Sequence, residues 1–304
     1  MSSRRAPEPR PAHRAGTATI VGRPNVGKST LLNRLVGARI SITSGRPQTT
    51  RQRITGIVTR PDAQVLFVDT PGYQTQHDSA LNRAMNRTVA ASLRDVDGIV
   101  WVVEALKYDE RDELVARLLP PGAPVILAIN KSDMVKDKAR LLPYIAELSA
   151  RRRFEALVPV SATKGTHLET LLDAIVALLP EGERLHDEDE LTTINERVLA
   201  SELLREKLFQ QLGEELPYAA AVEIAQFKQE GGLRRIQATI LVDKEGQKAI
   251  VIGARGAKLK EIATRARRDM ERLFGGKVFL EVWVKVRRGW ADSEGTLKRM
   301  GIGD

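Results

Sequence analysis

The chain of 304 residues contains no cysteine. Disulfides, zinc–thiolate centres and thiol chemistry are therefore excluded. Its four histidines, His13, His77, His167 and His186, are scattered without metal-ligand spacing. A bound cation would have to be a hard one held by oxygen ligands. No run of 18 apolar residues occurs, so no membrane-spanning helix is expected. The opening MSSRRAPEPRPAHRAG has arginines but no apolar centre, which does not fit a secretory signal. A disordered basic tail is expected over residues 1–16.

What is present points to a folded protein with an anionic partner. Hydrophobic residues make up 42% of the chain, enough for real cores, and the length allows one large domain or two ordinary ones. The formal net charge of +9 favours nucleic acid or an acidic membrane surface, without choosing between them.

From Thr17, short apolar runs alternate with amphipathic stretches. The runs are ATIVG (18–22), ITGIV (54–58), QVLFVD (64–69), GIVWVV (98–103), PVILAIN (124–130) and ALVPVSA (156–162). Each fits a buried strand, and helical patterns such as 31–37 and 168–180 lie between them. This alternation predicts a doubly wound, mostly parallel α/β sheet. The second and third runs are separated only by a turn around Pro61 and Asp62, which predicts an antiparallel hairpin at the sheet edge. The pattern runs from 17 to 180. Residues 181–194 begin with the acidic EGERLHDEDE and read as a linker.

A second unit is expected over 195–304. It opens with an amphipathic helix at 195–213, with Gly213 as its cap. Alternating strands follow at 220–227 and 235–242. A helix at 258–274 carries Leu259, Ile262, Ala266 and Met270 on one face, and a strand at 277–286 turns its valines to one side. Phe279 and Trp283 share the other side, where they could stack nucleic-acid bases or pack on the first unit; ordinary packing is preferred, since aromatic rings usually bury against protein. QKAIVIG (247–253) reads locally as a strand.

Four short motifs carry the chemistry. GRPNVGKST, residues 22–30, stands between a strand and a helix and matches G-x-x-x-x-G-K-[ST]. Gly22, Pro24, Asn25, Val26, Gly27 and Thr30 are expected around a nucleoside triphosphate, because glycines admit phosphate oxygens to backbone N–H groups at a helix N-terminus. Lys28 would reach the outer phosphates and Ser29 would ligate Mg²⁺. DTPG (69–72) ends the third strand, with Asp69 for the metal and the Gly72 N–H for the γ-phosphate. NKSD (130–133) ends the fifth. There Asp133 accepts from the guanine ring N–H and amino group, Asn130 braces the loops, and the Lys131 stem covers a base face. SAT, Ser161 to Thr163, alone reads as a plain loop. As the fourth motif in order it places the Ala162 N–H to donate to the guanine carbonyl. All four fall at strand C-terminal ends, where open α/β sheets bind ligands. In the polar stretch 38–53 either Thr49 or Thr50 qualifies to complete the metal shell, and Thr50 is preferred.

DTPG is followed by Tyr73, where Ras-type enzymes carry a water-orienting glutamine. GRPNVGKS, QTTR, DTPG, NKSD and SAT together resemble the Era/TrmE/Der group of translation-factor-type GTPases, many of which lack that glutamine. The resemblance implies that Asn25 can ligate K⁺, with the 43–50 loop completing its shell and Tyr73 turned away. It makes Asn25, Lys28, Thr50 and Gly72 the expected catalytic group.

In the second unit, VIGARGAKLKEI (251–262) contains G-x-x-G, and residues 244–288 hold 13 Lys/Arg against 5 Asp/Glu. Together with 200–224 and VWVKVRRGW (282–290), this is similar to the C-terminal half of the Era family. The resemblance implies a type II KH domain of α-β-β-α-α-β order, with a short helix where QKAIVIG reads as a strand. It implies that Ile252, Gly253, Ala254, Arg255, Gly256, Lys258 and Lys260 bind RNA. The implied partners are the 3′ end of 16S rRNA and the 30S subunit, for a monomeric cytoplasmic GTPase using GTP, GDP and Mg²⁺. Peripheral inner-membrane association is a lesser expectation. A TrmE-like enzyme is disfavoured, because that family's terminal cysteine motif is missing.

Overall fold

A computed structural model describes residues 13–43, 50–51, 53–73, 79–213, 216–300 and 302. The first sheet is built from β1 (Arg14–Val21), α1 (Lys28–Val36), β2 (Ile54–Thr59), β3 (Ala63–Asp69), α2 (Ala80–Ser92), β4 (Gly98–Glu104), α3 (Glu110–Leu118), β5 (Val125–Asn130), α4 (Leu141–Arg151), β6 (Ala156–Pro159) and α5 (Leu168–Val176). Its strand order is β2-β3-β1-β4-β5-β6. Only the β2–β3 pairing is antiparallel, which is the expected edge hairpin. Every residue of β4 and β5 is buried, because helices cover both faces of the parallel strands. Ile20, Val102 and Leu171 belong to one core, and Trp101, Leu127 and Leu148 to the other.

Backbone bonding moves several boundaries. β1 begins at Arg14, inside the expected tail. The Ala15 N–H donates to Pro180 and the Arg14 guanidinium to the Leu179 carbonyl, at 3.1 and 2.7 Å, so polar residues are held in strand geometry. β6 stops at Pro159, three residues short of its apolar run. The helix from Leu168 ends at Val176 and reaches Pro180 through tight turns. Residues 181–194 are bonded to β1, β3 and β2 in turn, beginning with the bridge from Glu181 to Arg14. The Gln64 side chain accepts from the N–H groups of Leu185 and His186, and the Ile57 N–H donates to Leu191. Such bonds need no apolar periodicity, so sequence patterning gives no sign of them.

The second sheet is built from α6 (Glu196–Gln211), β7 (Ala220–Glu230), β8 (Leu233–Val242), α7 (Glu245–Ile252), α8 (Ala257–Phe274) and β9 (Lys277–Val286), followed by α9 (Glu294–Arg299). Strand β8 lies between antiparallel β7 and parallel β9. The parallel pair requires the crossover that α7 and α8 supply. Leu204, Leu208, Ile240, Ile262, Met270 and Val284 share the core. QKAIVIG is largely helix, as the family resemblance implied. Gln247 accepts from the N–H groups of Asp243 and Lys244, and Val251 is fully buried. Tertiary burial overrides the local β preference. Helix α6 ends with Leu212 extended, so Gly213 is not the left-handed cap expected there.

The other face of this sheet is covered at one end only. Ala84 and Met85 of α2 meet Ala221, Leu241, Trp290 and Leu297. Phe279 and Trp283 lie beyond that cover and are 45% and 44% exposed. The expectation that they pack is therefore corrected: α6 and α8 occupy only the valine side of β9.

Candidate nucleotide site and RNA-facing loop

The phosphate end is a loop closed by a helix. Gly27 caps α1 in the left-handed region (φ 103°) with no side-chain cap, which leaves first-turn N–H groups for an anion. An added Cβ at Gly27 would collide with the Asn130 carboxamide. The buried Lys28 ammonium folds back onto the carbonyls of Gly22 and Arg23, at 2.9 and 3.0 Å. Burial draws its pKa down to about 8, against the opposing pull of Asp69. Gly72 presses against Pro24, so DTPG touches the phosphate loop directly.

The three oxygen ligands expected for a metal come together. Ser29 Oγ lies 2.7 Å from Asp69 Oδ2 and 2.9 Å from Thr50 Oγ1. Ser41, which sequence reading missed, also donates to Asp69 Oδ2 at 2.8 Å. Asp69 is fully buried, and among the described residues its Oδ1 has no partner. Burial pushes this carboxyl above its ordinary value, with Lys28 only partly offsetting it. An all-oxygen donor set with one orphaned carboxylate oxygen fits a hard divalent cation.

Asn25 (φ 65°), Lys28, Ser29, Thr30, Thr50 and Gly72 line one pocket. Tyr73 packs against the apolar cluster containing Val21 and Trp101, so its ring serves the core. Residues 44–49 and 74–78, including Thr49, Gln48, Gln74 and Gln76, lie outside the described residues.

At the base end, Asn130 Nδ2 donates to the Val26 carbonyl at 2.7 Å, tying this loop to the phosphate loop. The Ala162 N–H donates to Asn130 Oδ1 at 3.0 Å. That differs from the expected bond to guanine: a buried Asn130 oxygen would otherwise lack a donor. Asp133 is exposed in the 3₁₀ turn Ser132–Met134. Ser161 is buried and accepts from the Lys164 N–H, while the Thr163 carbonyl accepts from Arg34. Lys131 reaches Glu104 Oε2 at 2.6 Å, and Arg23 bonds Asp112 Oδ2 at 2.9 Å beside that same glutamate. Sequence reading missed Glu104. Its only signal was a charge ending a wholly apolar strand.

In the second domain, Ile252 ends α7 and Gly253 (φ 71°, ψ 179°) turns the chain. An added Cβ there would lie 2.5 Å from Lys258 Cβ. Arg255 is exposed and left-handed, and Gly256 begins α8 without a side-chain cap. The loop therefore presents a helix N-terminus together with Arg255, Lys258 and Lys260, a surface suited to a phosphate backbone.

The 50S ribosome-binding GTPase family matches residues 17–131, and the KH domain family matches residues 215–291. GTPase Era of Xanthomonas oryzae pv. oryzae is 54% identical, over 95% of this chain and 97% of its own. GTPase Era of Nitrosomonas eutropha is also 54% identical, over 95% and 98%. Two solved structures superpose with a TM-score of 0.91 at 38% identity, covering 95% of this chain and 99% of theirs. One is an Aquifex aeolicus Era variant bound to GDP and AlF4⁻. The other is Era with MgGDPNP and nucleotides 1506–1542 of 16S ribosomal RNA.

Proposed function

The chain belongs to the Era family of GTPases, and we propose that it is a GTP-operated switch acting on the 3′ region of 16S rRNA during assembly of the 30S subunit. The observation that carries this reading is the convergence of Ser29, Thr50 and Asp69 beneath the N-terminus of α1. Those three side chains would hold Mg²⁺, which when bound neutralises charge between the β- and γ-phosphates. Lys28 and the open amides of α1 grip the phosphates, and the Gly72 N–H meets the γ-phosphate. Asp133 pairs with guanine, Asn130 joins the two loops, and the Lys131 stem covers the base. Hydrolysis forms a bond from water oxygen to the γ-phosphorus and breaks the bond to the β–γ bridging oxygen. The proton goes to the released phosphate. Tyr73 is engaged in the core, so backbone groups and bound water orient the nucleophile. Asn25 faces the same pocket and would ligate K⁺, as an oxygen donor beside the phosphates.

We divide the chain into a GTP-binding unit (17–180), a connector (181–194) and an RNA-binding unit (195–304). The G-x-x-G loop, with Arg255, Lys258 and Lys260, clamps the RNA backbone. The protein acts as a cytoplasmic monomer. Among the described residues no helix is long and apolar enough to cross a membrane, so any contact with the inner membrane is peripheral.

The test is steady-state GTP hydrolysis in matched K⁺ and Na⁺ buffers, with and without an RNA matching the 16S 3′ end. Turnover should be faster in K⁺ and rise further with RNA, and Asn25→Ala should abolish the K⁺ advantage. Equal slow turnover in all four conditions would remove the K⁺ site and the coupling, leaving an RNA-binding assembly factor in which GTP only orders the switch.

A further inference from the structure

Strand β9 has two sides with different fates. Val278 and Val284 enter the core, while Phe279, Trp283 and Lys285 face away from it and are exposed. Of the six phenylalanines and three tryptophans in the chain, only Phe279 and Trp283 are exposed. Helix α2 covers the Ala221–Leu241 end of this face and leaves the end bearing the rings open. We propose that this open end is a second RNA surface, where Phe279 and Trp283 stack unpaired bases. The proposal rests on the reading that this domain binds RNA, and assigns it a contact separate from the G-x-x-G loop.

Three features select RNA as the occupant. The first is charge. Parallel register sets Arg235 beside Phe279, with the guanidinium 5.3 Å from the ring centre, and Lys277 and Lys285 flank the rings. Glu281 stands between the two rings and is engaged by Gln237 at 3.1 Å. Glu230 pairs with Arg235 at 2.7 Å, but both side chains are about half exposed, so water screens the pair and a phosphate can compete for the guanidinium. Rings interleaved with cations suit a polyanion that also has flat apolar faces.

The second feature is spacing. Four residues along a strand separate the two ring positions by about 13 Å. Adjacent stacked bases are about 3.4 Å apart, so the rings would take non-neighbouring bases of an unstacked single strand. The third is continuity. β9 is the edge of its sheet, and α7, which leads into Gly253, packs against it. A strand leaving the loop reaches the rings by rounding that one edge. A lipid surface fits less well, because two rings on a flat strand give no broad apolar face to bury.

Tryptophan fluorescence tests this in the full chain. Trp101 and Trp290 are 2% and 1% exposed, so acrylamide quenching reports on Trp283. A single-stranded RNA matching the 16S 3′ end should shield Trp283 from acrylamide. Phe279→Ala and Trp283→Ala should each weaken RNA binding about tenfold, the scale of one base–ring stack. Trp283→Tyr should restore most of that loss, and GTP binding should be unchanged in all three variants. RNA binding that leaves Trp283 fully quenchable, with alanine variants equal to wild type, would overturn the sheet-face contact and spare the loop. Failure of the wild-type chain to bind the RNA would overturn both. Shielding by phosphatidylglycerol vesicles but not by RNA would assign the face to lipid and overturn the proposal.

Discussion

Arg51 Nη1 donates to the Ala220 carbonyl oxygen across 2.9 Å, joining the nucleotide-binding domain to the first strand of the second sheet. The guanidinium is buried. It also donates to Tyr218 at 2.9 Å and lies 5.4 Å from the Trp290 ring. Its neighbour Thr50 sits 2.9 Å from Ser29 in the proposed metal site. One peptide unit, about 3.8 Å from Cα to Cα, thus separates the Thr50 residue from the interdomain anchor. Thr50 cannot shift far unless Arg51 shifts with it.

Arg51→Met should therefore uncouple the domains. The variant leaves the Ala220 and Tyr218 carbonyls without this donor, at about 1–3 kcal/mol each, so its melting temperature should fall. GTP affinity should stay within a few-fold of wild type, while stimulation of hydrolysis by RNA disappears. Because linkage is reciprocal, the effect of GTP on RNA affinity should vanish by the same factor. Comparing RNA affinity with and without a GTP analogue decides it, and coupling retained in the folded variant would rule the anchor out.

Asp133→Asn should change the preferred base. Asp133 is exposed, so the fold should be unaffected. Guanine would lose two bonds to a charged acceptor, and GTP affinity should fall about a hundredfold or more. Xanthine carries a carbonyl in place of the amino group and matches an amide donor, so xanthosine triphosphate should gain. Competition binding with the two nucleotides measures the switch. An unaltered GTP preference would remove Asp133 from the base site.

Glu104→Gln should loosen the base site through Lys131. Burial opposes ionisation of Glu104, but hydrogen bonds from Lys107 and Lys131 outweigh it and hold the carboxyl below the ordinary glutamate value. A depressed carboxylate contributes its stability above its unfolded pKa and loses it as pH falls through the folded value. GTP affinity at neutral pH should drop about fivefold, near 1 kcal/mol. The acid-side loss of stability that Glu104 contributes should disappear in the variant. Melting temperature followed from neutral to acid pH, beside nucleotide affinity, checks both. A variant matching wild type in each would show that Lys131 needs no anchor.

Gly253→Ala should separate RNA binding from hydrolysis. The backbone at φ 71°, ψ 179° is open to glycine and costly for other residues, at about 1–3 kcal/mol. The added carbon would also meet Lys258 at 2.5 Å. RNA affinity should fall at least about tenfold, while GTP hydrolysis without RNA is unchanged. Fluorescence anisotropy with labelled RNA, beside a phosphate-release assay, gives both numbers. Wild-type RNA affinity would mean that this loop is not the clamp.

Much of the nucleotide site is legible because its parts are contiguous. GRPNVGKST, DTPG and NKSD each occupy a strand end, and parallel strands bring those ends to one edge. The apolar runs mark the strands well where burial is complete, as in β4 and β5. They fail where backbone bonds do the work, as at Arg14 and in residues 181–194. They also mislead at QKAIVIG, where β-branched residues serve a short helix because Val251 has a core to enter.

The order of residues alone determined which motifs the chain carries: a P-loop lysine and serine, an NKSD aspartate, a G-x-x-G turn and a basic second unit. The tertiary structure decided what joins them. Ser41 bonds Asp69, Glu104 holds Lys131, Arg51 reaches Ala220, and Phe279 and Trp283 stay in water because only one end of their sheet face is covered. Partners such as Arg51 and Ala220, far apart in the chain, leave no local pattern. Their hydrogen bonds depend on distances that exist only once both sheets have packed.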